Sequence, residues 1–232
     1  MPDFKGRRFP TDIILVYVRW YCKYGISYRD LEEMMEERGV VVDHTTLFRW
    51  VQHYAPLMEK RIRWYQRYTD ASWRVDETYV KVAGQWAYLY RAIDKNGETL
   101  DFMLSPRRTA KSARRFLGKA LRLRRVCPPS TINTDQNEAY GKAIRALKKA
   151  GYLDKNVEHR QVKYLNSRLE ADHGALKRLI NPTRGFKTLP TASATIKGFE
   201  VMRLIRKRQC LLLEPGPREE VRFVNRLFRL AA

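Results

Sequence analysis

The spacing of apolar and polar positions divides the chain near residue 70. Before that point the apolar residues recur at helical intervals and predict three short helices over residues 11–54. The first runs from about Thr11 to Cys22. The second follows Ser27, which with Asp30 makes a capping box, and carries Leu31, Met34 and Met35 up to a stop at Gly39. The third follows Asp43, whose carboxylate can accept from the unpaired N–H groups of a first helical turn, and it presents Leu47, Trp50 and Val51 on one face. Residues 56–68, rich in Arg and aromatics, predict a connecting helix.

Beyond residue 70 the chain turns to Val, Tyr, Trp and Ile. Residues 73–82, 85–93 and 99–104 predict an antiparallel three-stranded meander, with turn signals at Ala83-Gly84 and Asp94–Gly97. A helix over 109–125, a short strand over 130–134 and a helix over 136–150, ended by Gly151, come next. A strand near 157–162 precedes a helix from Lys163 to Ile180, closed by Asn181-Pro182. A further helix spans 191–209, and a tail with Pro215 and Pro217 ends in a short basic amphipathic segment to Leu230. This order predicts an α/β fold. A mixed sheet flanked by helices, the order of a ribonuclease H-like domain, follows a small all-helical domain. The boundaries are 1–66 for the helical domain and its connecting helix, 67–210 for the sheet domain and 211–232 for the basic tail.

Charge narrows the partner. Lys and Arg number 46 against 25 acidic residues, a formal charge of +21. The excess is uneven, +2 over residues 1–70 and +19 over residues 71–232. A field of that sign draws polyanions, and nucleic acid is the first candidate. The three cysteines and four histidines have no zinc-ligand spacing, which fits a reducing compartment. The apolar run Ile13–Val18 is too short to span a membrane and is closed by Arg19, and no cleavable signal pattern precedes it. The expectation is a cytoplasmic protein associated with the nucleoid. In the helical domain, two short helices joined by a turn form a helix-turn-helix pattern, in which the second helix turns its N-terminal residues toward base edges. Those residues are His44, Thr45, Thr46 and Arg49.

Three carboxylates carry the candidate chemistry. Asp76 interrupts a strand, where Asp is depleted, and alternation puts it on the face of Arg74 and Thr78, with Glu77 opposite beside Val75 and Tyr79. Asp135 follows the strand 130–134; with Glu138 it also makes a capping box for the next helix. Glu170 lies in the helix from Lys163, where Leu165, Leu169 and Leu176 form a neighbouring apolar stripe; it shares a face with Lys177, while Asp172 points the other way. Acids that converge repel one another and require a cation. Hard oxygen ligands suit Mg²⁺, or Mn²⁺ in its place, and two such ions serve an attacking and a leaving oxygen of a phosphodiester.

The spacing leaves 58 residues between Asp76 and Asp135, 34 between Asp135 and Glu170, and a basic residue seven positions later. With the segments SWRVDETYVKV (72–82), GQWAYLYRAID (84–94), TDQNEAY (134–140), EHRQVKYLNSRLEADHGALKR (158–178) and TASATIKGFE (191–200), the chain resembles the DDE transposases of the insertion-sequence-six family. The resemblance implies that Asp76, Asp135 and Glu170 are catalytic metal ligands. It implies that Lys177 and Arg178 contact DNA, that the substrates are double-stranded terminal inverted repeats and target DNA, and that the working form is a homodimer or larger. Gln136 departs from the family, which often has Lys after the second Asp. Two other readings stay open at this point: another ribonuclease H-like nuclease, and a non-catalytic DNA-binding regulator descended from a transposase.

Overall fold

The computed structural model describes residues 2–6, 8–67, 69–123, 127–162 and 167–230. They form two compact units, one of residues 1–67, 176–184 and 190–232, the other of residues 68–175 and 185–189.

The first unit opens with α1 (Thr11–Tyr24), α2 (Tyr28–Glu36) and α3 (His44–Ile62). The capping box is formed, Ser27 and Asp30 each accepting the other's backbone N–H. Asp43 caps α3 by accepting from the N–H groups of Thr45 and Thr46. Of the connecting helix expected over 56–68, residues 56–62 are instead the last turns of α3, with Pro56 inside it, and Arg63–Tyr65 follow as a short 3-10 helix. An interior proline removes a hydrogen bond at a cost of about 3 kcal/mol. Burial of Tyr54, Ala55, Met58 and Ile62 on either side of it offsets that loss. From Pro190 onward α7 (Leu189–Arg206) belongs to this unit, as does α8 (Pro217–Leu227), so the basic amphipathic tail segment is part of a packed body. Phe223, Val224 and Leu227 of α8 are buried, and Phe228 packs its ring against Phe4 and Tyr54.

The second unit is built on β1 (Ser72–Val82), β2 (Gln85–Asp94), β3 (Thr99–Ser105), β4 (Thr131–Thr134) and β5 (Glu158–Gln161). The sheet order is β3-β2-β1-β4-β5, antiparallel among the first three strands and parallel from β1 outward through β4 and β5. This mixed arrangement is that of the ribonuclease H-like fold. Ala83 and Gly84, both at positive φ, make the two-residue turn between β1 and β2. Trp73 and Val75 point from β1 into a core closed by Phe116 and Leu117 of α4 (Ala110–Leu123) and by Tyr140 and Ile144 of α5 (Glu138–Lys149). The opposite face of β1 carries Arg74, Asp76 and Thr78, and α6 (Ser167–Ile180) reaches it through residues of its first half. Residues 163–166, where the sequence predicts the start of the helix that runs to Ile180, lie outside the described residues. Among the described residues no helix is long and apolar enough to cross a membrane.

Candidate active site

Strand register brings the first two acids together. In the parallel pair of β1 with β4, Trp73 faces Ile132 and Arg74 faces Asn133. The same register, continued two residues past the paired segment, sets Asp135 beside Asp76. Their carboxylates and that of Glu77 lie within 4.8 Å of one another. The expected capping box at Asp135 does not form. Asn137 caps α5 by accepting from Ala139 N, and Asp135 instead accepts from Asn137 N at 3.1 Å. The helix therefore begins later, and Asp135 sits in the loop at the strand end, where a carboxylate can turn toward its neighbour.

Glu77 is on the other face of β1 and is held there. Tyr140 donates its phenolic hydrogen to one Glu77 oxygen, and the guanidinium of Arg108 donates to the other. Arg108 extends on to Asp135, with Nη2 3.5 Å from Oδ2. Burial is the main reason that the carboxyls of both Glu77 and Asp135 are pushed above the usual carboxylate range, with the neighbouring Asp76 charge adding to each. Glu77 is thus spent on a buried network, and Asp76 and Asp135 remain as the pair turned to the outside.

Glu170 is exposed in the first turn of α6 and is not in the three-carboxylate group. The residues just after it explain its position. His173 is buried with Nε2 3.8 Å from Asp76 Oδ2, and neither ring nitrogen has a hydrogen-bond partner among the described residues. Asp172 meets the fully buried Arg91 at 2.5 Å, and Arg91 is the cross-strand partner of Asp76. The N-terminal half of α6 is therefore pinned over Asp76, with Glu170 one helical turn before the residue that touches it. Lys177 and Arg178 are exposed in the last turn of the same helix.

Neither Glu77's partners nor the Arg91–Asp172 pair was singled out from the sequence. The available signal was alternation: an acid on the core-facing side of β1 has to find buried donors. In the helix-turn-helix, His44 opens α3 with Nδ1 3.0 Å from Glu32. The hydroxyls of Thr45 and Thr46 both donate to Asp43, and Arg49 is exposed one turn on.

The donor set suits a hard divalent cation. Two carboxylates converge at a strand edge, one of them pushed up by burial and then by the other's charge, and a guanidinium already bridges into the cluster. Residues 70–209 match the DDE domain family. The transposase of the insertion sequence-like element IS431mec from Staphylococcus aureus is 39% identical over 210 residues, 90% of each chain. The chain belongs to the DDE transposases of the insertion-sequence-six family. The transposase of insertion sequence element IS257 in transposon Tn4003, also from S. aureus, is 38% identical over the same extent. An uncharacterized Yersinia pseudotuberculosis protein is 47% identical over 83 residues, 35% of this transposase and 78% of its own length. Among solved structures, the HTLV-2 integrase catalytic core domain in complex with magnesium is 18% identical with a TM-score of 0.43, covering 58% of this chain and 85% of that one. The enzyme is a transposase that uses divalent metal.

Proposed function

We propose that this transposase cuts DNA at the ends of its element and joins the freed strand to target DNA, with Asp76, Asp135 and Glu170 as ligands of two Mg²⁺ ions. The observation that carries the proposal is the β1–β4 register, which sets Asp135 beside Asp76, with α6 docked on Asp76 through His173. When bound there, the ions activate the attacking oxygen and stabilise the leaving oxygen of a phosphodiester. The chain's own groups do the rest. Asp76 and Asp135 hold charge at the strand edge, Glu77 and Tyr140 fix Arg108 beside them, and α6 supplies Glu170 from the side opposite the core. In cutting, a water oxygen displaces one ester oxygen and leaves a 3′ hydroxyl. In joining, that hydroxyl displaces an ester oxygen of the target strand.

We assign recognition of the terminal inverted repeats to the helix-turn-helix within residues 1–66, through His44, Thr45, Thr46 and Arg49 at the start of α3, and further DNA contacts to Lys177 and Arg178. The working form is a homodimer or larger on paired ends, acting at the nucleoid in the cytoplasm. The catalytic carboxylates then lie within 67–210, while α7 from Pro190 onward and the basic segment 211–232 pack with the helical unit. The test is to incubate the purified chain with end-labelled terminal DNA and Mg²⁺ or Mn²⁺. The expected products are a nicked end and a joined species, both abolished by chelator. Nicking without joining would point to a nuclease, and binding without either to a regulator.

A further inference from the structure

The face of α4 turned away from the core is a cationic groove. Lys111, Arg114, Arg115 and Arg122 recur at helical spacing along it, and Arg107 stands at its mouth, in the segment between β3 and α4. The groove has a volume of about 740 Å³, and no acidic residue lines it among the described residues. The opposite face of the helix holds Ala113, Phe116, Leu117 and Ala120 in the core, so the cations have only the outer side on which to lie. Lys119 marks the boundary. It turns to the sheet, donating to Asp101 at 2.8 Å and to the Phe102 carbonyl at 2.7 Å. Gly118 lines the groove between Arg115 and Arg122, where a Cβ would stand 3.7 Å from the Leu147 side chain of α5. The far wall carries Tyr152, 66% exposed.

We infer that this groove is a track for the phosphate backbone of double-stranded DNA, leading to the carboxylates. The inference rests on DNA being the substrate proposed above. Its direction comes from adjacency in the chain: Arg107 lines the groove, and the next residue, Arg108, is bonded to Glu77 and lies beside Asp135. Ser105 and Tyr90 both donate to the Arg107 carbonyl, at 3.1 and 3.5 Å, and so fix the joint between groove and site. From Lys111 to Arg122 the stripe runs roughly 16 Å along the helix. A duplex laid along it presents about five phosphates per strand over that length, enough to give each of the four cations of the stripe a partner.

The test is the salt dependence of duplex binding by the full chain. Lys111, Arg114, Arg115 and Arg122 are replaced together by Ala, and a control replaces Lys142, Lys149, Lys155 and Arg160, equally exposed and equal in charge but outside the groove. Unfolding midpoints establish that both variants fold. Binding of a random-sequence duplex, followed by fluorescence anisotropy, gives the slope of log K against log salt. Four lost phosphate contacts flatten that slope by about 3.6 in the groove variant. The control slope is expected to stay near that of the unaltered chain. Equal slopes for the two variants would overturn the groove. A loss seen only with single-stranded DNA would overturn the duplex assignment. Absence of cutting by the unaltered chain, with the slope difference intact, would count against the function and leave the groove standing.

Discussion

At the scale of single residues, Glu77 distinguishes a buried network from a metal ligand. Tyr140 is fully buried and donates to it, so Tyr140→Phe removes a hydrogen bond to a charged group. The expected loss of stability is about 1.5–3 kcal/mol, read from urea unfolding. Glu77 also gives a pH signature. Burial raises its pKa in the folded state, so the folded chain binds a proton more readily than the unfolded one. Its contribution is fully present below the ordinary Glu value of about 4.3 and is lost as pH rises through the raised one. In chelator, wild type minus Glu77→Gln stability should therefore fall with pH across that window and flatten above it; a rise with pH would reverse the assignment. Asp76 was legible in the sequence because an acid is out of place in a strand. Alternation also put Glu77 on the other face, but its partners Tyr140 and Arg108 are 63 and 31 residues away, and no local pattern pairs them.

At the scale of elements, α7 packs through a glycine. A Cβ on Gly198 would meet the Cys22 side chain of α1 and stand 2.9 Å from Ala55 Cβ of α3. Gly198→Ala is expected to destabilise by about 1–3 kcal/mol through overpacking. Gly174 in α6, with nothing within 4 Å of its Cβ position, gives the opposite sign, and Gly174→Ala should stabilise by about 0.5–1 kcal/mol. Thermal unfolding of both variants checks the contrast. The meander and the short caps at Ser27 and Asp43 were readable because turn and cap chemistry is local. The continuity of α3 through Pro56 was not, because what sustains it is burial against distant residues. The start of α5 was missed for a related reason. Asn137 and Asp135 are both good capping residues, and only the pairing of β4 with β1 draws Asp135 toward the site.

At the scale of the whole molecule, the compact units do not follow the chain in sequence. Residues 176–184 and 190–232 join residues 1–67, a return that periodicity cannot reveal because it depends on which apolar faces meet. A fragment of residues 1–66 would lack α7 and α8, so end recognition is best tested in the full chain. Arg49→Ala is expected to lower the preference for terminal over random DNA in gel shifts while leaving random-DNA binding little changed; an unaltered preference would remove Arg49 from base reading. The central claim is that Asp76, Asp135 and Glu170 act as one catalytic set, although Glu77 and not Glu170 completes the compact carboxylate cluster. Its most direct test is strand cleavage and joining of terminal DNA in Mg²⁺ by Asp76→Asn, Asp135→Asn and Glu170→Gln, with DNA binding measured in parallel. Each variant should bind DNA as the unaltered chain does and yield neither a nick nor a joined product. Near-normal cleavage by Glu170→Gln, or by either aspartate variant, would contradict the set.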